Sequence, residues 1–169
     1  INKLGWKIGG EQGEGLESTA EIFSTVINTL GYHMYSTRDF ASRIKGGHSN
    51  SKICISEERI NVIDYKTDIL IAFDQATLDS YIPELDENSI IIADAKIKPE
   101  ISEEIKGLVA VFPITDLAKE IANPIIKNII TLGICSALLD IDSKIFYDMI
   151  EAKFSSKGEE IVNTNIQAF

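Results

Sequence analysis

The sequence has 169 residues, a formal net charge of −10 and an apolar content of 44%. These values suit one folded domain with its own core and argue against a disordered chain. The acidic charge also argues against a general nucleic-acid-binding protein, because neutralising phosphates requires a basic face. We therefore expect a single domain over residues 1–169.

The two cysteines, Cys54 and Cys135, stand in apolar surroundings, without the Cys or His spacing of a zinc site or an iron–sulfur cluster. We expect both to be small core side chains, which is typical of proteins from a reducing cytoplasm. No apolar run approaches the ~20 residues that cross a bilayer, and no signal peptide is visible. The sequence therefore predicts a cytoplasmic protein with no membrane partner.

An apolar run, a glycine-rich segment and a helical pattern open the chain. Leu4 to Ile8 indicates a strand, and Gly9 to Gly15 indicates a glycine-rich turn. Apolar residues between Leu16 and Leu30 recur at steps of three and four, which predicts a helix ending at Gly31. Tyr32 to Ser36 follows as a short strand. Together these elements predict one βαβ unit with a right-handed crossover.

One hairpin and three apolar strands are predicted further along the chain. Ser51 to Ser56 and Arg59 to Ile63 alternate apolar with polar residues around Glu57-Glu58, which indicates an antiparallel hairpin. Parallel strands are indicated by near-continuous apolar runs over 68–73, 89–93 and 107–112. Helices are predicted over 75–80, 115–122, 125–139, 142–154 and 158–169, with Asp74 as the N-cap of the first and the Asn123-Pro124 pair starting the third. The expected fold is α/β: a three-layer, mostly parallel Rossmann-like sheet with an antiparallel hairpin and C-terminal helices.

The first candidate site is the glycine-rich segment between the first strand and the first helix. Free N–H groups at such a helix start suit an anion. However, the glycine order differs from the usual dinucleotide fingerprint, and Glu11 and Glu14 would repel a pyrophosphate. A tight turn that lets the helix pack closely on the sheet is the alternative. The candidate residues are Gly9, Gly10, Gln12, Gly13 and Gly15.

The second candidate site is a cationic segment in an otherwise acidic chain. Arginine forks such as those of Arg38 and Arg43 suit phosphate or carboxylate, and His48 adds an imidazole. A solvated loop is the alternative. The candidate residues are Arg38, Ser42, Arg43, Lys45, Gly46, Gly47 and His48. We expect the two segments to meet at one edge of the sheet, with Gly10 and Arg43 as neighbours. No catalytic triad and no metal-binding set can be placed.

The segment Gly9–Gly15, the pair Gly31-Tyr32 and the run Ser42–His48 together resemble the γ domain of 2-oxoacid:ferredoxin oxidoreductases. The strand at 69–74 and the tail Lys157–Glu160, with Asn165 and Ala168, are similar to that domain as well. The resemblance covers essentially the whole chain and is closest to the form fused ahead of an α subunit. We therefore expect a fragment of a longer chain that continues beyond Phe169. One departure is that Glu11 and Glu14 interrupt the family's glycine turn, which commonly reads Gly-Gly-x-Gly-Gln-Gly.

The resemblance implies a complex that oxidatively decarboxylates a 2-oxoacid to an acyl-CoA and reduces ferredoxin. Thiamine diphosphate and iron–sulfur clusters would belong to other parts of the complex. This domain would be non-catalytic, would pack on the α and β parts, and would help to shape the entrance for CoA through the two candidate segments. Whether the substrate is pyruvate, 2-oxoglutarate or ketoisovalerate is left open.

Two alternatives remain at this point. One is an autonomous nucleotide-binding domain that uses the Gly9–Gly15 turn. The other is a pure subunit-interaction module, whose helix over 125–139 is apolar nearly all round and would be buried in the core or under a partner.

Overall fold

A computed structural model describes residues 2–40, 47–61 and 65–169. Within them lies a six-stranded sheet of order β2-β3-β1-β4-β5-β6. The strands are β1 (Lys3–Glu11), β2 (His33–Phe40), β3 (His48–Ser56), β4 (Ile69–Ala72), β5 (Ile90–Asp94) and β6 (Leu108–Phe112). The pairs β1–β4, β4–β5 and β5–β6 are parallel, whereas β3 is antiparallel to both of its neighbours, β1 and β2.

Helices cover both faces of this sheet. They are α1 (Leu16–Thr29), α2 (Gln75–Ser80), α3 (Ile114–Ile121), α4 (Lys127–Leu138), α5 (Ser143–Phe154) and α6 (Glu159–Ala168). Buried residues of α1 and of α3 to α6 belong to one apolar cluster on the first face, whereas α2 belongs to a smaller cluster on the second face. This arrangement confirms the three-layer α/β prediction.

The core follows the two-residue alternation of the strands. On the first face, Trp6 and Ile8 of β1 pack towards α1, and the rings of Trp6 and Phe23 stack with centroids 4.7 Å apart. On the second face, Leu70 of β4 packs with Leu78 of α2. Both cysteines are buried, as predicted, and no helix in the described ranges has the length and hydropathy to cross a membrane.

The predicted hairpin assigned residues 51–56 to the wrong partner strand. Residues 51–56 do form part of β3, but β3 pairs with β2, from His33 opposite Ser56 to Phe40 opposite Ser49. Arg59 to Asn61 form no strand, and residues 62 and 63 lie outside the described residues. β3 also pairs with β1 along its whole length. Residues 51–56 therefore belong to an interior strand of the sheet, rather than to one arm of a hairpin with residues 59–63.

The opening βαβ prediction also needs correction. The elements β1, α1 and β2 occur in the predicted order, and β2 extends to Phe40 rather than ending at Ser36. However, β3 lies between β1 and β2 in the sheet, so the two strands of the unit are not neighbours. The chain returns through β3 to fill the gap between them.

The later elements follow the predictions closely. Asp74 caps α2, its carboxylate accepting the Thr77 N–H, and Asn123 caps the turn that leads into α4. β6 is one of the two edge strands of the sheet and is partly open, with Leu108 66% exposed. Most of α4 is buried, although Leu138 near its end is exposed.

Candidate functional site

The glycine-rich segment divides into the end of a strand and a turn. β1 extends to Glu11, so Gly9 and Gly10 are strand residues paired with Asn50 and Ser49 of β3. The prediction that the turn begins at Gly9 is therefore wrong.

Both strand glycines are closely packed against neighbouring side chains. A Cβ on Gly9 would lie 2.5 Å from Thr77 Oγ1, and a Cβ on Gly10 would lie 3.0 Å from Phe73 Cβ. Close packing, rather than anion binding, therefore explains why glycine occurs at positions 9 and 10.

The turn proper runs from Gln12 to Gly15 and leads directly into α1. Gly13 and Gly15 have φ values of 93° and 80°, in the left-handed region that favours glycine. Gly15 is the N-cap residue of α1 and supplies no side-chain acceptor, so the first N–H groups of the helix have no side-chain cap within the described part of the chain. These groups carry the positive end of the helix dipole, which favours an anion.

A cavity of about 460 Å³ opens at this helix start. Its lining residues are Gln12, Gly13, Gly15, Leu16, Glu17, Ser18 and Ser49. Ser49 is only 7% exposed, and its hydroxyl has no hydrogen-bond partner within the part of the chain that the structure describes. The carboxylate of Glu17 lies 3.7 Å from the Arg38 guanidinium, so its charge is partly offset.

The expected repulsion from Glu14 is relieved by an ion pair. One carboxylate oxygen of Glu14 pairs with the ammonium group of Lys127, and the other accepts the Glu11 N–H at 3.0 Å. Glu14 is therefore neutralised inside the turn and is not among the residues that line the cavity. Sequence reasoning missed Lys127, which is 113 residues away and looks like an ordinary helix residue.

The start of α4 also supports the turn through Asn128. Its side-chain amide donates to the Gly15 carbonyl at 3.1 Å, and the residue is 5% exposed. The Asn123-Pro124 pair had signalled that a helix begins here, but the sequence held no signal for this contact.

Only part of the second candidate segment can be placed. Ser42, Arg43, Lys45 and Gly46 lie outside the described residues, so the predicted proximity of Gly10 and Arg43 stays a prediction. Gly47 does adjoin the turn, because its carbonyl accepts the Gln12 N–H at 3.2 Å.

His48 lies on the second face of the sheet and is not among the residues that line the cavity. Its Nδ1 lies 3.2 Å from the Asp74 carboxylate, and its Nε2 lies 3.1 Å from the Tyr81 hydroxyl. Burial, together with the carboxylates of Asp39, Glu84 and Asp74, raises the pKa of Tyr81 to about 12. The phenol therefore stays protonated at neutral pH.

A buried charged cluster extends from this point along the second face. Lys7 and Lys52 are 3% and 6% exposed, and their ammonium groups lie 2.5 and 2.9 Å from the two carboxylate oxygens of Glu84. Burial lowers the pKa of Lys7 despite this pairing. No local sequence pattern indicated two buried lysines at these strand positions. Among the described residues, no cluster of three or more metal-ligating side chains occurs.

Comparison with known proteins decides the family. The sequence model of the family described as pyruvate ferredoxin/flavodoxin oxidoreductase matches residues 5–169. The chain belongs to this family. Membership confirms the resemblance on which the functional expectations rest.

A curated relative within this oxidoreductase family is the 2-oxoacid:ferredoxin oxidoreductase subunit alpha of a Sulfolobus species. It is 28% identical over 90% of this chain and 30% of its own length. The chain thus spans about a third of such a relative.

Two solved structures share the fold of this family member. One is the 2-oxoglutarate:ferredoxin oxidoreductase from Magnetococcus marinus with 2-oxoglutarate, coenzyme A and succinyl-CoA bound. Its TM-score is 0.91 at 24% identity, over 100% of this chain and 30% of that one. The other is the keto/oxoacid ferredoxin oxidoreductase gamma subunit from Geobacter sulfurreducens, with a TM-score of 0.85 at 22% identity over 99% and 93% of the two chains.

Proposed function

We propose that this chain is the γ domain of a 2-oxoacid:ferredoxin oxidoreductase, fused to an α subunit, and that its glycine turn binds an anionic group of CoA. The observation that carries the proposal is the cavity at the start of α1. It combines two left-handed glycines with helix N–H groups and a Ser49 hydroxyl that have no side-chain partner among residues 2–40, 47–61 and 65–169. Phosphate groups match such a site in charge and in hydrogen-bonding capacity. The complex with coenzyme A described for the Magnetococcus neighbour supports CoA as the ligand class.

In this proposal the domain binds and positions CoA, and the remainder of the complex performs the chemistry. The complex would convert a 2-oxoacid and CoA into an acyl-CoA and CO₂ and pass two electrons to ferredoxin. Thiamine diphosphate and iron–sulfur clusters would be held elsewhere. A cluster needs several converging thiolates, whereas Cys54 lies on the second face of the sheet and Cys135 lies in the core of the first.

Contacts with the α and β parts would use the apolar side chains that this chain leaves exposed. On the edge strand β6, Leu108, Val111 and Phe112 are 66%, 47% and 40% exposed. Covering such side chains is a common role of subunit interfaces. We place the complex in the cytoplasm, where the two free cysteines would stay reduced.

The decisive experiment places a negative charge in the cavity without weakening the helix. Ser18 lines the cavity in the first turn of α1, where a glutamate side chain stabilises a helix. We expect Ser18→Glu in the complete complex to raise the KM for CoA by about tenfold, which corresponds to ~1.4 kcal/mol of binding energy. The neutral variant Ser18→Gln is the matched control, with a KM close to that of the wild type.

An unchanged KM for CoA in Ser18→Glu would show that CoA does not bind at this turn. Calorimetry of the chain with NAD, FAD and CoA gives a second check. Tight binding of NAD or FAD would favour the autonomous nucleotide-binding domain instead.

A further inference from the structure

The imidazole of His48 bridges the two ends of helix α2. Its Nδ1 contacts the carboxylate of Asp74, the N-cap residue, at 3.2 Å. Its Nε2 contacts the hydroxyl of Tyr81, the C-cap residue, at 3.1 Å. Asp74 is itself fixed, because its other oxygen accepts the Thr77 N–H at 2.8 Å. We call the set Asp74, His48 and Tyr81 the histidine clamp.

Both ring nitrogens of His48 are engaged by the clamp. The Asp74 carboxylate can only accept, so Nδ1–H of His48 donates to it, while Nε2 lies 3.1 Å from the Tyr81 hydroxyl. Asn50 Nδ2 also donates to the Tyr81 oxygen, at 2.6 Å. Each polar atom of the imidazole is therefore committed inside the fold and is not offered to a ligand.

Gly9 leaves the space in which the clamp closes. A Cβ at this position would lie 3.1 Å from His48 Cε1 and 2.8 Å from Thr77 Cγ2. Only a residue without a side chain lets the imidazole and α2 lie directly against β1.

The backbone of the clamped histidine continues into the glycine turn. His48 is the first residue of β3 and pairs with Glu11, the last residue of β1. The preceding carbonyl, that of Gly47, accepts the Gln12 N–H, and Gln12 lines the cavity. Fixing the imidazole therefore fixes the strand end on which the turn begins.

We propose that His48 is a positioning residue, and that the histidine clamp sets the conformation of the Gln12–Gly15 turn from the opposite face of the sheet. His48 thus acts on the cavity through Gly47 and Gln12 rather than by touching the ligand. Its consequence for CoA rests on the function proposed above, whereas its effect on the turn is independent of any ligand.

The test uses the complete complex and two measurements. Hydrogen exchange of the peptide that covers residues 12–15 reports the turn itself. Steady-state kinetics report KM for CoA separately from kcat. Tyr81→Phe removes one hydroxyl and preserves the ring. We expect its exchange at residues 12–15 to rise about fivefold, the effect of losing one hydrogen bond of ordinary net strength. KM for CoA should rise with it, while kcat at saturating CoA stays unchanged.

Substitutions of the histidine separate its two bonds. His48→Ala loses both and should show the larger change in exchange and KM. His48→Asn keeps a donor near the Nδ1 position, so we expect it to recover most of the bond to Asp74 and part of the wild-type KM. His33→Ala is the matched control, since His33 is an exposed histidine on β2.

The outcomes distinguish the positioning role of His48 from the binding of CoA at the turn. Unchanged exchange at residues 12–15 in both Tyr81→Phe and His48→Ala would overturn the positioning role. Faster exchange with an unchanged KM for CoA would support the positioning role of the histidine clamp and contradict the binding of CoA at the turn. If His48→Ala fails to assemble, Tyr81→Phe decides by the same two measurements.

Discussion

The ammonium group of Lys127 pairs with the carboxylate of Glu14 and so joins the start of α4 to the glycine turn. Lys127 is 5% exposed, and its Nζ also lies 4.3 Å from the centroid of the Phe73 ring. The pair is therefore partly withdrawn from water, where an ionic hydrogen bond contributes more than it does on an open surface. It also explains how a glutamate is tolerated inside a turn suited to anions.

We expect Lys127→Met to lower the free energy of unfolding by about 2 kcal/mol, because it leaves the Glu14 carboxylate without its charged partner. Urea denaturation of the chain measures the effect. In the double variant Lys127→Met/Glu14→Gln the unpaired charge is gone, so part of the stability should return. A single variant as stable as the wild type would contradict the role of this pair.

The two left-handed glycines of the turn provide a matched comparison. A Cβ on Gly13 meets nothing within 4 Å, so Gly13→Ala should cost only the backbone strain of a left-handed alanine, about 1–2 kcal/mol. A Cβ on Gly15 would lie 2.4 Å from Asn128 Nδ2. Gly15→Ala should therefore cost more than Gly13→Ala, since it also disturbs the Asn128 contact with the turn. Thermal unfolding of the two variants tests this order, and equal losses would contradict it.

Local sequence patterns were sufficient for most elements of this fold. The apolar spacing around Phe23 predicted α1, and Asp74 and Asn123 were recognised as helix caps, because each of these signals lies within a few residues of its effect. Strand pairing was harder to predict. β3 pairs with β1 and β2, and that choice depends on residues far away in the chain.

The candidate site was predictable only where its chemistry is local. The turn from Gln12 to Gly15 precedes a helix, and its glycines marked it. Gly9 was assigned to the turn because its actual constraint, Thr77, is 68 positions distant and belongs to another element. Lys127 and the clamp around His48 were missed for the same reason, since neither forms a motif in the sequence.

The buried cluster of Lys7, Lys52 and Glu84 predicts a dependence of stability on acid. Burial opposes the charge of Glu84, but hydrogen bonds from Lys7, Thr67 and Lys52 outweigh it and lower the pKa of the carboxyl below its ordinary value of 4.5. A depressed carboxyl pKa contributes stability above pH 4.5 that is lost as the pH falls through the folded-state value.

We therefore expect Glu84→Gln to be less stable than the wild type at pH 7 by about 2 kcal/mol, the order of a charged hydrogen bond. The difference should shrink as the pH falls below 4.5. Urea denaturation across this range measures both curves. A difference that stays constant with pH would show that the carboxylate charge is not responsible.

Cys135 is expected to be chemically silent in the folded chain. It is fully buried, and burial raises the pKa of its thiol to about 12, although the Trp6 indole donates to the sulfur at 3.3 Å. Thiolate is the reactive form, so almost none is present at neutral pH. Cys54 is also buried. We expect neither thiol to react rapidly with Ellman's reagent until urea unfolds the chain. Rapid reaction of Cys135 in the native state would contradict the packing of α4 against β1.

The raised pKa of Tyr81 predicts a late step in an alkaline titration. The folded value is about 12, against an ordinary value of 10.0, because burial and the nearby carboxylates disfavour the phenolate. Stability from this group is fully present below pH 10.0 and is lost as the pH rises towards 12, since the unfolded chain ionises first.

Tyrosinate absorbance of the wild type and of Tyr81→Phe isolates the group, because the difference between the two curves is its titration. We expect that difference to appear well above the ordinary tyrosine value of 10.0. A difference curve centred near 10 would mean that the Tyr81 hydroxyl is open to solvent and is not held against His48.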